Sequence, residues 1–508
     1  MKAFLMHRDL DFLQVNLPPN ADALIQDLEL KTLFDAMARG DEFLFNVVKK
    51  TILSSLNNPE EITYRQQILI DCLEHTDIVR EIYDLAIEAI QREKKVRRAF
   101  LFETPDLVVS RAIDVLEMFI GILRQFRKIA EKVSGQFRSE GFVRFFAMLT
   151  QELNDEYFRV VEKHLGQLRF QNGVLISAEL GKGNNGTHNV LREPLKDQRS
   201  LIKRIFNKGK LSYSFKIPDN NSTKLEELDE LVNTGINPVA NALVKSTEHI
   251  HSFFTMCQTE LGFYVGCLNL HKQLVQKGEP TCIPISLASD NHKLSAHGLY
   301  NVCLTLKMET RVVSNDLAAD NKKLVIITGA NQGGKSTLLR SIGLAYLMMQ
   351  CGMFVAAEQF SFSVCAGVFT HYKRKEDAMI KSGKLDEELI RMSEIADQIK
   401  PGCILLFNES FSSMNEREGS EIARQITNAF QESGVKVFFV THLFELANGL
   451  YHQKRDTTLF LRAERQTDGQ RTFRVVEGEP LSTSYGKDLY IQIFEVPAQA
   501  TTAIAKET

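Results

Sequence analysis

The sequence predicts a multidomain protein with a domain of long α-helices, a small β insertion and a C-terminal α/β domain. Three observations support this prediction. Residues 20–165 and 222–276 contain long helical patterns with apolar stripes. Residues 166–220 change to alternating apolar and polar residues with glycine and asparagine loops. From residue 279 onward, predicted strands and helices alternate, which is typical of a mainly parallel sheet covered by helices.

These changes divide the chain into four predicted segments. Residues 1–165 form the first helical part, and residues 166–220 form the β-containing insertion. Residues 221–278 form one long helix, which we expect to bend near Pro238 because proline disrupts helical hydrogen bonding. Residues 279–508 form the α/β domain.

Capping residues and apolar spacing predict where the helices of the first part begin. Asn58-Pro59-Glu60-Glu61 combines a cap residue, a proline at the first helical position and a glutamate at the third. Asn20 is predicted to cap an earlier helix whose apolar face covers residues 24–34. Further helices are predicted over residues 78–98, after Pro105, and over residues 142–165.

The insertion is predicted to contain strands over residues 168–179 and 211–217. Asn172-Gly173 in the first of them is a strong hairpin signal. The glycine and asparagine loop at 181–186 is not a phosphate-binding loop, because no helix start or Lys-Ser pair follows it. Four basic residues in the insertion are candidate contacts to nucleic-acid phosphates: Lys203, Arg204, Lys208 and Lys210.

Apolar runs and helical patterns alternate within the C-terminal domain. Strands are predicted at 324–328, 353–356, 366–372, 403–407 and 435–440. Helices are predicted at 335–350, 385–399, 417–433 and 443–450. A closing hairpin is predicted from 458–463 and 472–477, with Asp468-Gly469 in its turn.

A phosphate-binding sequence follows the first of these strands. Gly329-Ala330-Asn331-Gln332-Gly333-Gly334-Lys335-Ser336 matches the P-loop pattern, and Thr337 continues into the helix. Glycines let backbone N–H groups turn towards phosphates, and the helix N-terminus adds further free N–H groups. Lys335 is predicted to reach the β- and γ-phosphates of ATP, and Ser336 is predicted to coordinate Mg²⁺.

Polar residues also end the next two predicted core strands. Asn408 takes the position that usually carries aspartate and can bind Mg²⁺ through a water, whereas Glu409 is predicted to polarise the attacking water. Because Asn408 adds no negative charge, we expect weaker Mg²⁺ binding and slow turnover. His442 is predicted to sense the γ-phosphate or to help position the water, with a purely structural role as the alternative.

Composition limits the classes of protein that remain. The formal net charge of -3 gives no overall basic character, so any nucleic-acid surface must be local. The eight cysteines show no metal-ligand spacing, which favours reduced thiols in an intracellular protein. The N-terminus is a poor signal peptide, and no apolar stretch approaches the about 20 residues of a membrane helix. We therefore expect a cytoplasmic protein without a membrane partner.

Several motifs together carry a family resemblance. TGANQGGKST at the P-loop is similar to TGPNMGGKST, and Thr441-His442-Leu443-Phe444-Glu445-Leu446 matches Thr-His-x-x-Glu-Leu. Further similar segments are Val313-Ser314-Asn315-Asp316, Ser484-Tyr485-Gly486 with Val496-Pro497, and residues 260–266 and 298–300. These residues resemble the MutS family, the dimeric ATPases of DNA mismatch repair. The resemblance implies an ABC-type P-loop ATPase domain that forms a homodimer, preceded by core and lever helices.

The sequence also departs from the family pattern. Asn408-Glu409 replaces Asp-Glu, and residues 412–417 replace the family's signature loop. Gly383-Lys384-Leu385-Asp386 replaces a Ser-Thr-Phe segment. Because helices begin near residue 20, we expect the family's N-terminal mismatch-reading domain to be missing. The resemblance therefore implies a short, divergent MutS-like protein in which the insertion replaces a full clamp.

Different classes of function remain open at this point. One is a DNA-binding protein that couples ATP hydrolysis to clamping of duplex, mismatched or branched DNA, in mismatch repair or recombination. The alternatives are an ATP-gated clamp on a ribonucleoprotein or protein partner, and an ATP-binding scaffold with slow turnover. The sequence does not decide between them.

Overall fold

The computed structural model describes residues 1–12, 16–97, 104–133, 135–170, 175–182, 186–192, 222–374, 384–465 and 471–481. The chain forms two compact units. The first contains residues 1–3, 77–138 and 142–260. The second contains residues 4–76, 139–141 and the chain from residue 261 onward.

The described residues are mostly helical, with three sheets. The helices are α1 (Ala21–Asp27), α2 (Leu30–Ala38), α3 (Glu42–Leu53), α4 (Pro59–Glu74), α5 (Thr76–Arg97), α6 (Pro105–Val133), α7 (Glu140–Glu152), α8 (Asp155–Leu168), α9 (Ser222–Gln276), α10 (Val302–Lys307), α11 (Lys335–Gln350), α12 (Lys384–Gln398), α13 (Glu416–Glu432) and α14 (Phe444–His452). The strands are β1 (Leu175–Leu180), β2 (Gly186–Arg192), β3 (Ile285–Leu287), β4 (Leu294–Leu299), β5 (Asn315–Ala318), β6 (Leu324–Thr328), β7 (Gln359–Ser363), β8 (Val368–Tyr372), β9 (Ile404–Asn408), β10 (Lys436–Val440), β11 (Thr458–Arg465) and β12 (Arg471–Glu477).

Aromatic side chains form the core of the first unit. Phe119 and Phe126 on α6 pack against Phe254 on α9, with ring centroids 5.2 and 5.7 Å apart. Phe145 on α7 stacks near Phe253, the neighbouring residue on α9. Large aromatic rings bury much apolar surface, so this cluster accounts for the packing of these long helices on one another.

One prediction for the first unit needs correction. Residues 142–165 are not one helix, because α7 ends before Asn154 and α8 begins there. The Asn154 side chain accepts a hydrogen bond from Tyr157 N at 2.8 Å, which is a helix-capping contact. Strand β1 pairs antiparallel with β2, whereas the predicted hairpin signal at Asn172-Gly173 lies outside the described residues.

The main sheet of the second unit has the strand order β12-β11-β6-β10-β9-β8. Strands β6, β8, β9, β10 and β11 are parallel, and β12 pairs antiparallel with β11. All five residues of β6 are buried, as expected for a strand covered on both faces. The mainly parallel sheet matches the prediction, and the carboxyl ends of its parallel strands meet at one edge.

A second sheet of this unit was not predicted. It has the order β3-β7-β4-β5 and mixes parallel and antiparallel pairs. The strand predicted at 353–356 is wrong, because Val355 makes only a single bridge with Cys282. These strands have only three to six residues each, which is too short for an alternation of apolar and polar residues to be distinguished from chance.

The N-terminal helices are confirmed in part. Asn58 accepts a hydrogen bond from Glu60 N at 2.9 Å, as its capping role predicts. Asn20 precedes α1, but its side-chain amide donates to Val368 O at 2.8 Å and does not cap the helix. The predicted apolar face at 24–34 is divided between α1 and α2, because Glu29 adopts a left-handed φ of 57°.

Two further expectations concern membranes and cysteines. Among the residues that the structure describes, no helix is long and apolar enough to cross a membrane. All eight cysteines are free thiols.

Candidate functional site

The sheet brings three chain segments to one edge. Thr441 N, after β10, donates to Ile327 O of β6 at 3.1 Å. Glu409 N, after β9, donates to Val440 O of β10 at 2.9 Å. The P-loop after β6 therefore lies beside the ends of β10 and β9, as expected for parallel neighbouring strands.

The P-loop backbone requires glycine at defined positions. Gly329 and Gly334 have φ values of 107° and 90°, a region that residues with a Cβ atom rarely adopt. At Gly333 a Cβ atom would lie 2.7 Å from the Cβ of Ala463. The glycines therefore let the loop lie directly against the strands that carry Ala463 and Phe473.

The β11–β12 hairpin packs directly on the P-loop. A Cβ atom on Gly334 would lie 2.7 Å from Phe473 O, and Arg471 donates to the Gln332 side chain at 2.5 Å. Asn315 anchors the hairpin, since its side chain accepts from Val475 N at 2.7 Å. Sequence analysis included Asn315 in a motif but did not foresee this contact.

Lys335 is the only buried cation of the P-loop sequence. Its ammonium group donates to Gly329 O and Ala330 O, both at 2.8 Å. Burial lowers the pKa of Lys335 to about 8, and the Glu409 carboxylate opposes that shift. An ammonium group has three N–H donors, so one remains for a ligand oxygen.

Ser336 and Asn408 form the candidate magnesium site. The Ser336 hydroxyl donates to the side-chain oxygen of Asn408 at 2.7 Å. Mg²⁺ prefers oxygen ligands and usually keeps several waters, so a hydroxyl and a nearby amide oxygen fit it. Both groups are neutral, and the charge that usually attracts the cation here is absent from this pair.

Glu409 and His442 form a hydrogen-bonded pair. His442 Nε2 lies 2.8 Å from Glu409 Oε1. This hydrogen bond is the largest influence on Glu409 and lowers the pKa of its carboxyl, and the positive charges of Lys335 and Lys373 act in the same direction. Glu409 therefore carries a negative charge at neutral pH. It has a left-handed φ of 55°, an uncommon conformation that suggests a functional constraint.

Side chains from other elements fix the chain just after Glu409. His371 on β8 is fully buried, and its Nε2 lies 3.1 Å from Glu388 O, so Nε2 donates there. Nδ1 and the backbone oxygen of His371 both lie 2.7 Å from the Ser410 hydroxyl. Burial, with a smaller effect of the Arg391 charge, lowers the pKa of His371 to about 4, which keeps the ring neutral and this arrangement stable.

Glu388 on α12 holds the same turn. One oxygen of its buried carboxylate accepts from Phe411 N at 2.8 Å, and the other accepts from the Ser413 hydroxyl at 3.2 Å. Phe411 has a φ of 62°, so two residues of this turn adopt the left-handed region. Sequence analysis missed His371 and Glu388. A histidine within an otherwise apolar strand was the available signal for His371, whereas Glu388 had none.

Residues 412–417, at the position of the family's signature loop, have local structural contacts. The Ser412 hydroxyl donates to Glu409 O at 2.7 Å. Asn415 caps α13 by accepting from Glu418 N at 3.0 Å. Glu416 accepts from Phe444 N at 2.9 Å, at the start of α14. This segment therefore stabilises the turn and two helix starts within its own chain.

The predicted site residues differ in where the structure places them. Five of them meet at the edge of the main sheet: Lys335, Ser336, Asn408, Glu409 and His442. Asn331 and Gln332 are exposed at the tip of the P-loop. Lys203, Arg204, Lys208 and Lys210 lie outside the described residues, as do the segments at 484–486 and 496–497.

A buried strand, a glycine-rich turn, a helix beginning at Lys335 and an acidic residue after a neighbouring strand define a P-loop nucleotide-binding domain. Comparison with known families specifies it further. Residues 57–277 match the MutS2 N-terminal domain, and residues 325–507 match MutS domain V. The chain belongs to the MutS family.

Each of the individual relatives matches less than half of the chain. The DNA mismatch repair protein MutS of Thermotoga neapolitana is 32% identical over 179 residues, which are 35% of this chain and 22% of that protein. MutS protein homolog 4 of Mus musculus is 26% identical over 244 residues, 47% of this chain and 25% of that protein. Endonuclease MutS2 of Thermus thermophilus is 33% identical over 135 residues, which are 26% of this chain and 18% of that protein. The matched segments thus span a quarter or less of these relatives.

Proposed function

We propose that the chain binds ATP with Mg²⁺ and hydrolyses it at the site around Lys335 and Glu409. The observation that carries this proposal is the charged Glu409 carboxylate, bonded to His442 beside the P-loop. A carboxylate that is charged and oriented can accept a proton from water. The P-loop glycines and the third N–H of Lys335 provide the donors that a polyphosphate requires.

The proposed reaction is attack of water on the γ-phosphorus of ATP. Glu409 orients the water and accepts its proton while the bond between the γ-phosphorus and the bridging oxygen breaks, giving ADP and phosphate. His442 orients Glu409 through its hydrogen bond. The ammonium charge of Lys335, together with its third N–H, stabilises the negative charge that develops on the β- and γ-phosphate oxygens.

Ser336 would bind Mg²⁺ directly, and Asn408 would bind it through a water. When bound, the cation neutralises charge on the β- and γ-phosphates. Because Asn408 is neutral and its oxygen already accepts from Ser336, we expect weaker Mg²⁺ binding and slower turnover than an aspartate would give. The same contact favours the second candidate function, an ATP-binding scaffold with slow turnover.

We further propose that ATP hydrolysis is coupled to DNA binding in mismatch repair or recombination. The likeness to relatives named as DNA mismatch repair proteins supports this. In this proposal residues 279–508 are the ATPase domain and mediate a homodimer. Residues 1–165 and 221–278 form the core and lever, and residues 166–220 carry phosphate contacts from Lys203, Arg204, Lys208 and Lys210. An ATP-gated clamp on a ribonucleoprotein or protein partner is the competing proposal.

Steady-state ATP turnover tests this function. Wild type, Lys335→Ala and Lys31→Ala are measured without DNA and with duplex, mismatched and four-way junction DNA. We expect turnover to be lost in Lys335→Ala, unchanged in the exposed-lysine control Lys31→Ala, and altered by at least one DNA.

Each alternative has its own result in this assay. Turnover that ignores every DNA contradicts the DNA-coupled function and favours the ribonucleoprotein or protein clamp. Tight ATP binding without turnover favours the scaffold, provided that Asn408→Asp does not raise the turnover.

A further inference from the structure

A cavity lies at the amino ends of the central strands of the main sheet. Its volume is about 400 Å³, within the range of about 300–1,000 Å³ that is typical of small-molecule sites. Among its lining residues, Lys323 directly precedes β6, Cys403 directly precedes β9, and Lys436 begins β10. The P-loop and Glu409 follow the carboxyl ends of these strands, so this amino-end cavity and the candidate ATP site lie at opposite ends of the sheet. Its lining residues all belong to the second unit.

Much of the lining of the amino-end cavity is apolar. Five buried side chains contribute to it: Val364, Cys365, Cys403, Ile404 and Val435. A ligand with an apolar body would remove this surface, and its own, from water, which is favourable. The lining therefore suits an organic molecule better than a small inorganic ion.

The cavity also contains donor groups without a partner in the described part of the chain. Tyr346 is 1% exposed and lines the cavity, yet its hydroxyl makes no hydrogen bond. The half-buried ammonium of Lys436 makes neither a hydrogen bond nor an ion pair, and burial lowers its pKa. The Cys365 thiol is close enough to influence the pKa of both groups. Buried donors without acceptors cost stability, so a ligand that supplies acceptor oxygens near this thiol would be stabilised.

The charges around the cavity leave a surplus of positive charge. Two lysines line it, Lys323 and Lys436, and the acidic residue of the lining is Asp290. Asp320 also acts on Lys436, but its carboxylate is paired with Lys293 at 2.5 Å. Three lysines therefore stand against two aspartates, and one of those aspartates already has its cation.

We propose that the amino-end cavity binds a small organic carboxylate, whose apolar body packs on the buried valines and cysteines and whose charged end accepts hydrogen bonds from Lys436 and Tyr346. A carboxylate only accepts hydrogen bonds, which is what these two donors lack. A hydrogen bond between an ammonium and a carboxylate is about twice as strong as one between neutral groups. A neutral ligand of the same shape would leave the Lys436 charge without a counter-ion.

Calorimetric titration with sodium benzoate, at constant ionic strength against sodium chloride, tests this site in the full chain without nucleotide. We expect wild type to bind benzoate, Lys436→Met to bind it about tenfold or more weakly, and Tyr346→Phe about fivefold more weakly. Benzamide has nearly the same shape but no charge, so it should bind wild type about tenfold or more weakly than benzoate does. Methionine keeps most of the apolar stem of lysine, and Tyr346→Phe removes a hydroxyl without a protein partner, so both variants should fold.

The controls separate the amino-end cavity from other cationic sites. Lys31→Met, at an exposed lysine of α2 that does not line the cavity, should bind benzoate as wild type does. Lys335→Ala should also bind it normally, because the P-loop lies at the other end of the sheet. No binding by wild type, equal binding by Lys436→Met, equal affinity for benzamide, or binding that depends on Lys335 would each overturn the proposal. The assay contains no ATP, so its outcome is independent of the proposed function.

Discussion

The P-loop and the turn after β9 lie side by side, yet different parts of the sequence determine their shapes. The P-loop follows from its own residues, because its glycines permit the backbone path and Lys335 bonds two carbonyls within it. The turn at 409–413 depends on His371 and Glu388, which are 39 and 23 residues away from their partners in the turn. A local motif therefore reveals the first region, whereas only the fold reveals the second.

The largest effect is expected for Gly334→Ala in the P-loop. Alanine would have to adopt a φ of 90°, and its Cβ would lie 2.7 Å from Phe473 O, a backbone atom that cannot move aside cheaply. We expect a loss of about 2 kcal/mol or more in the free energy of unfolding. ATP affinity should fall by at least about tenfold, because the loop N–H groups no longer point at the phosphates. Chemical denaturation and equilibrium ATP binding measure the two effects.

Gly449→Ala is the matched control for this substitution. Gly449 lies within α14, and a Cβ atom there would meet nothing within 4 Å. It should leave ATP affinity unchanged and stabilise the protein by about 0.5–1 kcal/mol, since alanine favours a helix more than glycine does. If Gly334→Ala behaved like Gly449→Ala, the P-loop would not depend on its glycines.

A smaller and different effect is expected for Glu388→Gln in the turn after β9. Glutamine keeps the shape but offers one acceptor oxygen for the two donors, Phe411 N and the Ser413 hydroxyl. We expect the free energy of unfolding to fall by about 1–3 kcal/mol. If Glu388 positions Glu409, kcat should also fall about tenfold while KM for ATP stays the same.

Glu421→Gln provides the comparison for that variant. Glu421 is an exposed carboxylate on α13 that pairs with Arg424. Removing its charge should change neither kcat nor stability by a measurable amount. A change in KM without a change in kcat for Glu388→Gln would show that the turn after β9 serves nucleotide binding and not the reaction.

These two regions also show how far sequence analysis reached. The strand, turn and helix of the P-loop were predicted, since hydrophobic periodicity and glycine positions are local signals. The positions of Asn408, Glu409 and His442 at strand ends were predicted for the same reason. Two other contacts could not be predicted, because both join residues far apart in the sequence: the β11–β12 hairpin on the P-loop, and Glu388 with Phe411.

The misassigned elements have related causes. The second sheet consists of strands too short for a clear alternation, and the break between α7 and α8 depends on one capping asparagine, Asn154. At Asn20, the same residue type donates to the edge of the main sheet and does not cap its helix. A capping residue thus indicates a helix start correctly only where no distant partner competes for its side chain.

The smallest effect concerns the protonation of Lys335, which the P-loop motif alone does not predict. Burial lowers the pKa of this ammonium to about 8 in the chain without nucleotide. The folded state therefore binds fewer protons here than the unfolded state between about pH 8 and the ordinary lysine pKa, so this group favours folding increasingly as pH rises through that window. ATP binding instead requires the protonated form of Lys335, because only the charged ammonium attracts phosphates.

ATP affinity should therefore decrease as pH rises, even though the protein does not unfold. Between pH 7 and pH 8.5 we expect the Kd of wild type for ATP to increase about fourfold, as the fraction of protonated Lys335 falls. Lys335→Arg is the matched control, because guanidinium stays charged across this range and its Kd should show only the titration of ATP itself. Equal pH dependence in the two proteins would mean that Lys335 keeps its proton throughout. The contacts within the P-loop would then stabilise the ammonium more strongly than its burial destabilises it.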